Sequence, residues 1–152
     1  MISIGNRPQL SQWTPFTPTG SWNTNVVYYG MYRISGDSMD VRIEVMCTGA
    51  PNAANLRVTL PPGVVIDNTK FPNNGSDNYL PIGEVISQQG GAASAAIAFY
   101  SGSTTSQQVG AFAEEVTSTP GFINSVNIDA THPYTFGNGD TVTYNLAALP
   151  VL

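Results

Sequence analysis

Cysteine, histidine and charge are all scarce in this sequence. Cys47 is the one cysteine and His132 the one histidine in 152 residues. A disulfide framework within the chain and a zinc site built on several cysteines are therefore excluded. Charged residues make up 10% of the chain, against roughly 25% in typical soluble domains. Five of them are basic, against ten acidic, for a net charge of -5, and no Lys/Arg cluster occurs anywhere. Nucleic-acid binding needs several phosphate contacts from basic side chains, so that class is excluded, and a membrane-surface role fails for the same reason. No apolar run approaches the ~18 residues of a membrane span. The start, MISIGNRPQL, lacks a basic stretch followed by an apolar one, which predicts no signal peptide and synthesis in the cytoplasm without export.

What remains is enough for one folded domain. A hydrophobic fraction of 41% supplies a core, and domains near this length bury roughly 68–70% of their unfolded surface. Solubility rests on Asn, Ser, Thr, Gln and Gly between the apolar runs. From Met39 to Cys47 apolar and polar residues alternate: Met39, Val41, Ile43, Val45 and Cys47 against Asp40, Arg42, Glu44 and Met46. A period of two belongs to a strand with one face on a core. Asn25 to Ile34 is rich in Val, Tyr and Ile, residues suited to a pleated surface. Ser35, Gly36 and Asp37 join these runs as a tight turn, predicting a hairpin. Apolar bulk on both faces of the first run predicts a central strand or one covered by a neighbouring subunit.

Further strands are predicted over Leu56–Leu60, closed by Pro61, Pro62 and Gly63, and over Tyr79–Ser87. Pro81 and Gly83 place the latter at a sheet edge, because proline cannot donate to a ladder. Ala93–Tyr100 is alanine-rich, but the glycines before it and Ser101-Gly102-Ser103 after it favour a short strand. Val109–Val116, Gly121–Ile128 and Val142–Leu146 complete the set, with a helical turn admissible near Gly110–Glu115. Eight or nine short strands with regular turns predict an all-β fold, a jelly roll or β-sandwich of antiparallel strands. Residues 1–20 differ: Pro8, Pro15 and Pro18 punctuate an extended N-terminal arm, and residues 21–152 form the single domain. Trp13 and Phe16 on that arm, with Trp22, Tyr28, Tyr29 and Met31 beyond it, are the candidate interface residues. Large aromatics on an extended segment must be covered by a sheet or a neighbouring chain.

Catalytic chemistry finds little support. His132 precedes Pro133 in a turn-like stretch, and no Gly-x-Ser-x-Gly elbow accompanies it. Glu114 and Glu115 are adjacent, so a strand sends them to opposite faces, where they cannot flank one glycosidic bond. Asp40 and Glu44 share a face with Arg42 between them, which reads as a surface charge ladder. The loop Asn73-Asn74-Gly75-Ser76-Asp77-Asn78 offers oxygen ligands of the kind calcium accepts, but Asp77 alone is charged, so turn chemistry explains it better. Cys47 continues an inward strand face, as a small hydrophobe. No catalytic residue, no cofactor and no metal is expected, and the chain reads as a non-enzyme.

A set of motifs in a fixed order carries a family resemblance. Trp13-Thr14-Pro15 is followed by the aromatic run Tyr28 to Ile34, then by Gly36-Asp37-Ser38-Met39-Asp40. Leu60-Pro61-Pro62-Gly63, Ile66-Asp67 with Lys70, and Phe136-Gly137-Asn138-Gly139-Asp140 come after. In this order the chain resembles virion proteins of tailed bacteriophages, a group that includes capsid decoration (cement) proteins and tail-fibre tips. The resemblance implies a jelly roll that forms a homotrimer on the outside of a virion. Without a shaft region before the arm, or a tryptophan after the final strand, the chain is closer to a cement protein than to a fibre tip. The partners so implied are further copies of the chain and the major capsid protein. The alternative is a receptor-binding module that recognises host cell-surface glycans.

Overall fold

The structure is a computed structural model; it describes residues 12–71, 80–100, 108–116 and 123–152, with backbone alone for 114–116 and 123–125. Among the described residues nine strands follow one another: β1 (Thr14–Phe16), β2 (Val26–Ser35), β3 (Ser38–Cys47), β4 (Arg57–Thr59), β5 (Leu80–Gln89), β6 (Ala92–Tyr100), β7 (Gln108–Val116), β8 (Ile123–Asn127) and β9 (Thr141–Pro150). Every pairing is antiparallel. They lie in the order β1-β2-β3-β9-β5-β6-β7-β4, with β8 also on β7. The fold is all-β, a sandwich of the jelly-roll kind, and Thr14–Phe16, within the segment expected as an arm, is a strand of its sheet. The one helical element among the described residues is a 3-10 turn, Asn68–Lys70.

The alternating run becomes β3 as its pattern dictates. Met39, Val41, Ile43, Val45 and Cys47 are buried, while Arg42 and Glu44 face outward. The hairpin to β2 closes through Gly36 and Asp37, with Ser35 opposite Ser38. A second tight hairpin joins β5 to β6 through Gly90 and Gly91, both at positive φ (52° and 97°). That backbone suits glycine and matches the twist of the strands it joins.

The sheet curls until its two ends meet. Beyond β1, Gly20 bridges to Val58 of β4. The Thr59 N–H donates to the Thr19 carbonyl (2.8 Å) and the Ser21 N–H to the Arg57 carbonyl (3.0 Å). One short stretch is thus stitched to β2 at its start and to β4 at its end. Trp22 follows, wholly buried, its indole N–H on the Ala54 carbonyl at 2.8 Å and its ring edge-on to Phe136 at 5.2 Å. Tyr100, Tyr144, Leu56 and Leu146 share that interior.

Two expectations are corrected. β5 is not an edge strand; it lies between β9 and β6. Its ladder to β9 runs from Gly83 to Gln88, so Pro81 lies beyond it, and a register shift between Pro81 and Gly83 absorbs the irregularity on the β6 side. Proline is tolerated there because no ladder bond to β9 is asked of it. The helical turn admitted near Gly110–Glu115 is strand β7 instead.

At the far end of the sandwich, an ionic contact joins residues remote in sequence. Lys70 Nζ reaches Asp37 at 2.6 Å and Asp67 at 3.7 Å. The hydrogen bond from Lys70 holds the Asp37 carboxyl below its ordinary range. The closing residues run between these groups: Val151 N–H donates to the Asp37 carbonyl (2.9 Å) and Leu152 N–H to that of Val65 (3.0 Å).

Candidate functional site: the outward face of the sheet

Because side chains alternate along a strand, the register fixes which of them line up across the sheet. On the face turned away from the core, one row runs Met31, Arg42, Asn145, Glu84, Ile97 across β2, β3, β9, β5 and β6. The next row runs Tyr29, Glu44, Thr143, Ile86, Ala95. This face keeps large apolar groups in solvent: Tyr29 is 52% exposed, Met31 44%, Ile86 42% and Ile97 57%. Two shallow grooves indent it. One, of about 280 Å³, lies among Tyr29, Met31, Arg42, Glu44 and Thr143. The other, of about 260 Å³, lies among Arg42, Glu84, Ile86, Thr143 and Asn145. Arg42 and Thr143 form the ridge between them.

The position of Arg42 is reinforced from the arm side. The Trp13 ring packs on two guanidinium groups, with Arg42 at 4.7 Å and Arg33 at 5.0 Å from its centroid. Such cation–π contacts are worth about 0.5–1 kcal/mol at exposed sites. Arg33 Nε also donates to Asp40 Oδ2 (2.8 Å), while Asp40 Oδ1 accepts the Ala148 N–H (2.8 Å). The backbone N–H of Ala148, followed by Arg33, holds the Asp40 carboxyl below its usual range. Asp40 therefore pairs with Arg33 and not with Arg42, and the charge ladder expected along β3 is divided between two neighbours. Glu84 accepts a hydrogen bond from Asn145 Nδ2 at 3.2 Å.

The six residues singled out from the sequence separate into two groups. Tyr29 and Met31 are exposed on the outward face. Trp13 and Phe16 are half-buried against their own domain, Phe16 edge-on to Tyr32 at 5.7 Å. Trp22 is wholly inside. Tyr28 is half-buried, its hydroxyl donating to the Trp22 carbonyl (2.7 Å), and burial pushes its pKa up to about 12. Arg42, Glu84, Ile86 and Ile97 complete the face and were not singled out from the sequence. Ile86 carries a usable signal, an apolar residue in phase with Glu84 and Gln88. Ile97 carries none, since an alanine-rich run does not declare its faces.

Elsewhere the chemistry is sparse. His132 Nδ1 lies 3.0 Å from Asp129 Oδ1 and 3.2 Å from Thr131 Oγ1, so both partners are on one side of the ring. Burial works against ionisation of Asp129, yet hydrogen bonds from Thr131 and His132 keep its carboxyl below the ordinary range. Cys47 is buried, and burial followed by the nearby Asp140 pushes the thiol up to about 11. Among the described residues no three His, Cys, Asp or Glu side chains are grouped to hold a metal ion, and no helix is long and apolar enough to cross a membrane. The Asn73–Asn78 loop with Asp77, and the side chains of Glu114 and Glu115, lie outside the described residues. No family model, curated protein or solved structure matches the chain.

Proposed function

We propose that this domain is a structural virion protein, a capsid decoration (cement) protein that binds the outside of a phage head as a trimer and stabilises it. The observation that carries this reading is the outward sheet face, where Tyr29, Met31, Ile86 and Ile97 stay exposed on a chain with few charges. Exposed apolar groups within a polar surround mark surfaces that meet other protein. The action is passive. A protein that binds only the assembled lattice stabilises it by mass action, and several weak contacts from one oligomer add through effective concentration. Apolar and amide contacts, unlike ion pairs, lose little to salt. The resemblance of the motif order to that of phage virion proteins supports the choice of assembly.

The second reading, a module that recognises host glycans, is favoured by the exposed Tyr29 ring beside the Arg42 groove, since sugars stack on such rings. Location in a purified particle decides between them. Many copies at three-fold positions on the head are expected, along with a higher temperature for head opening when the protein is added back to heads lacking it. A few copies at the tail tip, with purified protein blocking adsorption to cells, would establish the glycan reading instead.

A further inference from the structure

The row Met31, Arg42, Asn145, Glu84, Ile97 has an order of its own: apolar, positive, amide, negative, apolar. Its two halves match in size and oppose in charge about Asn145 on β9. Place a second copy face to face, related by a two-fold axis that runs along β9. Each strand then meets the strand an equal number of steps to the other side. Met31 faces Ile97 of the second copy, Arg42 faces its Glu84, and Asn145 faces Asn145. In the neighbouring row Tyr29 meets the small Ala95 and Thr143 meets itself; Glu44 opposite Ile86 is the one ill-matched pair.

The spacing permits this. Packed sheets lie roughly 10 Å apart, a gap that arginine and glutamate span from opposite sides. Aligned sheets cross at about 30°, which displaces a position one strand from the axis by only about 2–3 Å. Within one chain Arg42 and Glu84 are two strands apart, roughly 9–10 Å, with Asn145 between them. Neither enters an ion pair among the described residues. Both are exposed, and the Trp13 ring steadies the guanidinium without covering it.

We infer that the outward face is a self-association surface whose occupant is a second copy of this chain, with Arg42 of one copy against Glu84 of the other. A self-complementary patch of this kind is what an isologous interface requires. The same junction, positive half on negative half, also closes a ring of three. The inference rests on the reading of this face as one that meets protein and gives it to a second copy of the chain; self-association without head binding, or head binding by single chains, separates the two.

Sedimentation of the purified full chain tests it. The native protein should have the mass of two or three chains. Arg42→Glu or Glu84→Arg puts like charges at each junction and should weaken association about tenfold or more. The double variant R42E/E84R should restore it. An equimolar mixture of the two single variants should associate better than either alone, because opposite charges then meet between different chains. Compensation inside one chain cannot produce that last result. Arg42→Gln and Glu84→Gln should rank the same way with smaller losses. A native protein that sediments as one chain throughout, single variants that associate as the native protein does, or a mixture no better than its components would each overturn the inference.

Discussion

Tyr144 sits in the middle of β9 with its ring wholly buried and its hydroxyl without a hydrogen-bond partner among the described residues. Burial is the main cause that raises the pKa of that phenol, against the lowering effect of Arg57. A buried polar group that pairs with nothing keeps its desolvation cost. Tyr144→Phe should therefore raise stability by about 1 kcal/mol, read as a higher urea midpoint at unchanged slope. A lower midpoint would mean that the hydroxyl has a partner. Asp40 makes the opposite case. Its folded pKa is depressed, first by the Ala148 N–H and then by Arg33, so the folded state favours the carboxylate. The stability this supplies is present above the unfolded value of about 3.9 and is lost as pH falls through the folded one. Asp37, held by Lys70, and Asp67, held by Thr69 and then by Lys70, shift in the same direction. Thermal unfolding should accordingly show stability falling as the pH drops through and below the ordinary carboxylate range of about 4, and Asp40→Asn should flatten that fall. An unchanged slope in the variant would remove Asp40 from the account.

At the scale of elements, β3 was legible because each residue of its alternating run states its own side. Its partner β2 was not. Tyr28, Gly30 and Tyr32 point inward while Val27, Tyr29 and Met31 point out, and apolar residues stand on both sides. Only the strands that pair with it settle which side is core. Gly30 shows what the arm demands of β2. A Cβ there would lie 2.5 Å from the Phe16 ring and 2.7 Å from Pro18, so the arm can lie flat only because that position is bare. Gly30→Ala should lift β1 from the sheet and cost about 1–3 kcal/mol in denaturant titration, as overpacking does. Unfolding at the native denaturant concentration would show that β1 contributes nothing. Trp22 marks a further limit of sequence. Among prolines and aromatics it looked like its neighbours Trp13 and Phe16, and it became core because the chain turns inward after Gly20 meets β4.

At the scale of the molecule, the ring is closed by the stretch from Thr14 to Ser21, bonded to β2 at one end and β4 at the other. This was hidden from the sequence, since local pattern predicts strands and not which ones meet at a seam. The closure also has to be reached in time. β3 with β9, β5 with β9, and β4 with β7 all join distant parts of the chain, and such pairings form slowly because loop entropy is lost before the contacts form. Until residues 19–21 reach β4, two sheet edges stand open, and open edges pair with whatever strand arrives first. A chain so poor in charge has little repulsion to hold its siblings off meanwhile. For many copies folding together, the safeguard against tangling is the speed with which that last seam is sewn.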